Sequence, residues 1–167
     1  IMFNQVIILD LETTINAPEP HFGAAPAWPD NFAVAFGFQL VGEDDVFLED
    51  SATGLLELLA KYPEAVLVGH NLSFDLMYLF KSNDPLVYKP RQLWDTMKFH
   101  HIQTGKADPN PSLVKVAKYW GIPFQKDDEI KERFKLGIGA DQIDQELLYE
   151  YLEGDVRVTE QIFMKQL

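Results

Sequence analysis

Val6-Ile7-Ile8-Leu9 runs without a break into Asp10-Leu11-Glu12-Thr13-Thr14. A continuous apolar run of this kind reads as a strand covered on both faces. Residues i and i+2 of a strand point the same way, so Asp10 and Glu12 leave the sheet side by side. Two carboxylates held that close repel each other unless a cation lies between them. Magnesium or manganese, which prefers oxygen ligands, suits such a pair. On this fragment alone a second reading stands equally: a strand end that carries two hydrated acids into solvent.

Composition narrows the classes. At 167 residues the chain can build a real core, and 1–167 reads as a single domain. No apolar run approaches the length of a membrane span, and no basic-then-apolar leader is seen. Cysteine is absent, which removes disulfides and thiolate metal sites; a cytoplasmic protein is the expectation. The 26 acidic side chains outnumber the 14 basic ones, for a net charge of −12. That argues against a protein that coats nucleic acid through a basic face. It leaves room for an enzyme whose metal ions supply the local positive charge.

Further along, the four prolines between Asn16 and Asn31 mark a long loop that also holds His21, Phe22 and Trp28. Aromatics tucked onto the body are the commoner outcome there; contact with a substrate is the other. Val34, Phe36, Phe38 and Leu40 alternate with small or polar residues and predict a strand with one strongly apolar face. A turn at 42–45 and a short strand at Val46-Phe47-Leu48 complete an antiparallel meander. A helix over Thr53 to Tyr62, a buried strand at Ala65 to Gly69 and a helix through Asp75 to Phe80 then follow. Leu93-Trp94-Asp95 reads as a strand leading into a helix, with Asp95 as its cap. Lys106 to Pro111 reads as a loop. Ser112 caps a helix carrying Leu113, Val116, Ala117 and Trp120. Lys126 to Lys135 mixes both signs of charge and reads as a solvated helical face. Asp144 opens the last helix. The alternation of strands and helices is that of an α/β domain. His70, His100 and His101 lack a third partner at zinc-site spacing.

Acids recur at three points: Asp10 with Glu12 on the first strand, Asp75 at a helix start, and Asp155 on the last helix. Tyr151 and Asp155, four residues apart, share a helix face. Asp10-Leu11-Glu12-Thr13 resembles the first motif of the DnaQ-like (DEDD) 3′→5′ exonucleases. Asn71-Leu72-Ser73-Phe74-Asp75 resembles the second. Tyr151-Leu152-Glu153-Gly154-Asp155 resembles the third in its tyrosine form, because Glu150 stands where the histidine branch has histidine. That tyrosine branch includes the proofreading domains of DNA polymerases and some RNA-trimming enzymes.

The resemblance implies a ribonuclease H-like fold, a mixed sheet of about five strands flanked by helices. It also implies two divalent ions, Mg2+ or Mn2+, roughly 3.5–4 Å apart, that hold the attacking and leaving oxygens of a phosphodiester. Asp10 would bridge both ions; Glu12 and Asp155 would complete one shell, and Asp75 would hold the second ion largely through water. Tyr151 would orient the attacking water; the alternative for it is an ordinary buried helix aromatic. Leu11, Thr13 and Asn71 would contact the terminal nucleotide, with Phe74 packing beneath. The expected substrate is the 3′ end of single-stranded DNA. An RNA exonuclease of the same branch and a binding module that has lost turnover are the alternatives. A polymerase or replication protein is the expected partner.

Overall fold

Both acids lie inside the first strand, not beyond its end: β1 spans Val6–Thr13. The computed structural model describes residues 5–19, 22–81, 91–105 and 107–167; His21 and Lys106 lie outside them. β1 pairs antiparallel with β2 (Ala33–Leu40), and β2 antiparallel with β3 (Phe47–Glu49). On its other edge β1 runs parallel to β4 (Val66–Gly69), and β4 parallel to β5 (Leu93–Asp95). The order β3-β2-β1-β4-β5 places β1 at the centre of a mixed five-stranded sheet, a ribonuclease H-like arrangement. The helices are α1 (Thr53–Lys61), α2 (Leu72–Phe80), α3 (Thr96–Thr104), α4 (Leu113–Tyr119), α5 (Asp128–Lys135) and α6 (Gln145–Gln166).

The period of two in β1 divides the molecule into layers. Ile7, Leu9 and Leu11 join Phe36, Phe38 and Leu40 under Leu55 and Leu59 of α1 and Leu72 and Leu79 of α2. Ile8 points the other way, against Val156 and Phe163 of α6. Ile7, Ile8 and Leu9 are wholly buried, and each contributes about 1.5–3 kcal/mol. Asp10 and Glu12 have the parity of Ile8, so the same alternation aims them at α6.

The alternation in β2 does give one strongly apolar face, but its second face is no solvent face. Ala35 packs under Leu148 and Leu152 of α6. Gly37 lies closer still: a Cβ there would stand 2.8 Å from Leu152 Cγ and 3.0 Å from Val156 Cγ2. Glycine therefore sets how near α6 comes to the sheet, and Gly37 is the register partner of Asp10.

The segment from Lys126 to Lys135 departs from the solvated face that its charges suggest. Asp127 caps α5 and Ile130 is fully buried. Phe134 packs half-buried with its ring edge-on to Tyr151, centroids 5.9 Å apart. One apolar residue per turn suffices to dock a short helix whose other positions are charged.

Candidate functional site

Three of the predicted acids converge. Carboxylate oxygens of Asp10, Glu12 and Asp155 all lie within 4.8 Å of one another. β1 delivers the first two through strand parity, and α6 delivers the third because Gly37 lets the helix settle on the sheet. Asp75, in the first turn of α2, stands beside this trio and outside it. It is 3% exposed and acts electrostatically on both Asp10 and Glu12's side of the cluster. Asp75 Oδ2 and Asp155 Oδ1 are buried with no hydrogen-bond partner among the described residues.

Buried acids so close together resist ionisation. Loss of water, followed by the repulsion of Asp155, Asp75 and Glu12, holds Asp10 well above the usual carboxylate range. Burial and then Asp155 push Glu12 up to about 8. Burial, then Glu12 and Asp95, raises Asp75. Burial raises Asp155 as well, opposed by Lys126. A divalent cation would relieve the repulsion at all four acids at once and expel the protons they retain. Orphaned carboxylate oxygens and mutual repulsion are the properties of a group of ligands suited to a metal ion.

The second motif is built around a shared cap. Asp95 accepts from Met97 N and Lys98 N at the start of α3, and also from Asn71 N and Leu72 N at the start of α2, both at 3.0 Å. The capping role read for Asp95 thus extends to two helices, and it fixes the turn that carries Asp75. Asn71 sits at the N-cap in the left-handed region, φ 64°, and its own side chain makes no cap bond. His70 bridges Thr96 Oγ1 and the Pro111 carbonyl, each at 2.9 Å, which makes it a structural tie. Leu11, Thr13 and Phe74 line one pocket of about 220 Å³ next to Glu12. Phe74 also packs on the core and lies edge-on to Tyr78, centroids 5.2 Å apart.

No family model matches the sequence, and a search of curated proteins finds no match. Among solved structures the fold is similar to part of a family B DNA polymerase from the hyperthermophilic archaeon Pyrobaculum calidifontis. The TM-score is 0.61 at 19% identity over 96% of this chain. It is also similar to part of Phi29 DNA polymerase complexed with primer-template DNA and incoming nucleotides, with TM-score 0.60 at 14% identity over 99% of this chain. The chain spans only 24% and 31% of those two polymerases. At such identities the likeness is one of fold.

Lys126 is the residue of this cluster that the sequence did not single out. Its Nζ donates to Asp155 Oδ2 at 2.9 Å and to Tyr151 Oη at 3.2 Å, and it lies over the Tyr151 ring. Burial alone would depress its pKa, but Asp155, Tyr151 and Asp10 outweigh that and hold the ammonium above its ordinary range. Its partners lie 25 and 29 residues further along the chain. In sequence it is only a cation before the acidic start of a charged helix, and nothing local marks it out. Tyr151 is half-buried, and desolvation pushes its hydroxyl up to about 12 despite Lys126.

The 16–31 loop does reach the site but is not held as expected. Phe22 is 64% exposed and Trp28 37%, so these aromatics do not tuck onto the body. The loop is pegged instead by Asn31, which is 1% exposed. Its Oδ1 accepts from Thr14 Oγ1 and Asn16 N, and its Nδ2 donates to the Gly23 and Ala25 carbonyls. Tyr78 Oη adds a bond to the Ala24 carbonyl at 2.7 Å. An asparagine can satisfy four backbone-like partners from one buried position, whereas a ring can only cover surface.

Proposed function

We propose that this chain is a metal-dependent 3′→5′ exonuclease that releases nucleoside 5′-monophosphates from the 3′ end of single-stranded DNA. The observation that carries the reading is the convergence of Asp10, Glu12 and Asp155 within 4.8 Å. The orphaned oxygens of Asp75 and Asp155 and the three motifs in family order support it. So does the likeness of fold to a polymerase that was solved with primer-template DNA.

Asp10, Glu12 and Asp155 would hold one magnesium or manganese ion, and Asp75 with Asp10 a second. When bound, such ions supply a water acidic enough to attack at neutral pH and neutralise charge on the leaving 3′ oxygen. Tyr151, with its hydroxyl at about 12, stays protonated at neutral pH. It therefore orients water and does not act as the base. Lys126 fixes the Tyr151 oxygen and one oxygen of Asp155, so that Asp155 Oδ1 is the atom that would ligate an ion. Leu11, Thr13 and Phe74 would receive the terminal nucleotide, and Asn71, the N-cap of α2, is assigned to it by the motif alone. Residues 1–167 form one nuclease domain in this reading, acting alone or beside a polymerase.

The test is a digestion time course on a 5′-labelled single strand, with and without magnesium, with a matched RNA strand alongside. Stepwise shortening from the 3′ end of DNA, in magnesium only, is expected. An undigested DNA strand in both magnesium and manganese would sink the reading.

A further inference from the structure

We infer that Asp95 is a positioning residue that governs whether a divalent ion is held at Asp75 and leaves the ion at Asp10, Glu12 and Asp155 unaffected; this rests on the exonuclease reading above. The helix that carries Asp75 starts without a cap of its own. Asn71 is the one non-glycine residue with positive φ among the described residues, and its side chain makes no cap bond. Asparagine tolerates that region at a cost, so the turn depends on what surrounds it. The first amides of a helix need acceptors. Those of α2 find them in Asp95, which accepts from Asn71 N through Oδ1 and from Leu72 N through Oδ2.

The two oxygens of Asp95 divide the work. Oδ1 also accepts from Met97 N at 3.0 Å and Lys98 N at 3.4 Å, so it caps α3 as well, whereas Oδ2 serves Leu72. The residues on either side of Asp95 are tied to the end of α6. Trp94 Nε1 donates to Gln166 Oε1, and Gln166 Nε2 donates to the Thr96 carbonyl, both at 2.9 Å. Those ties use Trp94 and Thr96 and not the Asp95 carboxylate. A change confined to that carboxylate therefore reaches the start of α2 and spares α6, which carries Asp155.

Asp75 lies in the first turn of α2, just after Leu72. It accepts a bond from the Leu11 backbone, and its Oδ2 has no partner among the described residues. The cap on Leu72 thus sets where that free oxygen stands. The ion at Asp10, Glu12 and Asp155 has three carboxylates within 4.8 Å of one another, none of them on α2. The ion at Asp75 has only Asp75 and a share of Asp10, so displacing one ligand removes a larger part of its hold. Asp95 also acts through space on Asp75, and its negative charge adds to the attraction for a cation there.

The test is a manganese titration, with free manganese read by electron paramagnetic resonance, in the presence of a single strand whose 3′-terminal linkage resists cleavage. Parent, Asp95→Asn, Asp95→Ser and Asp75→Asn are compared, each well below its melting temperature in chelator. Asparagine keeps an acceptor at the Oδ1 position and sets an NH2 against Leu72 N. Serine still caps α3 but is too short to reach α2. The parent should bind two ions. In both Asp95 variants one ion should bind within about twofold of the parent and the other at least roughly tenfold more weakly, as for loss of a group that orients a metal ligand. Asp75→Asn should show the same pattern. Asp95 variants that bind both ions like the parent, or lose both alike, overturn the inference while the parent still digests DNA. A parent that binds no manganese and digests nothing overturns the inference together with the exonuclease reading.

Discussion

Replacing Gly37 by alanine should damage the site without touching any of its acids. Gly37 has ordinary strand backbone, since it is absent from the glycines with positive φ, so only space is at stake. The added methyl would lie 2.8 Å from Leu152 Cγ and 3.0 Å from Val156 Cγ2. Carbon atoms prefer about 3.5–4.0 Å, so α6 must back away by roughly 1 Å. Leu152 follows Tyr151 and Val156 follows Asp155, so the displacement is passed directly to both site residues. Overpacking of this kind costs about 1–3 kcal/mol, a fall of about 2–4 °C in melting temperature for each kcal/mol at this size. A misplacement near 1 Å is worth about 10²-fold in rate. Turnover on a labelled single strand and thermal melting measure the two effects. Leu152→Ala removes the atom in the way, so the double variant Gly37→Ala, Leu152→Ala should regain part of both losses relative to additivity. Parental turnover and melting for Gly37→Ala would refute the reasoning, as would strictly additive effects in the double variant.

Asp10→Asn should abolish digestion yet raise the metal-free melting temperature, because it removes an acid that folding must bury among other acids and drive to take up a proton. Asp155→Ala should abolish digestion and lower it, because Lys126 is left unpaired; melting in chelator separates the signs. Tyr151→Phe should slow turnover about 10–10³-fold with little change in strand affinity in calcium, as for loss of one positioned group; equal rates would reduce the tyrosine to packing. Lys126→Met should melt lower than the parent in chelator and gain more from added magnesium, since the ammonium opposes the acids when no ion is present. His70 is pushed down to about 4 by burial, below its ordinary 6.5. The unfolded chain therefore binds the extra proton first. Stability from the neutral ring is whole above pH 6.5 and lost as pH falls toward 4, by at most roughly 3 kcal/mol. Denaturant midpoints for parent and His70→Gln should converge as pH falls through that window.

The sequence by itself determined the central strand, the face to which its acids point, the antiparallel meander and the helix that carries Tyr151 and Asp155. Each is legible because it is local: periods of two and 3.6 and side-chain caps act within a few residues. Those periods aim Asp10, Glu12 and Asp155, but not how closely they meet. Tertiary structure decided that through the glycine at position 37, which sequence shows only as a small residue on the weaker face of a strand. It also decided the site's cation and the hold on the 16–31 loop. Lys126 reads as one charge in a charged helical segment, and Asn31 as the end of a proline-rich loop. Their partners come from distant parts of the chain: Lys126 meets Asp155 only after α5 docks by Ile130 and Phe134. Asn31 gathers Thr14, Asn16, Gly23 and Ala25 only once the loop has closed. Electrostatic and hydrogen-bond partners brought together by packing leave no periodic trace in the chain, and burial then makes them strong.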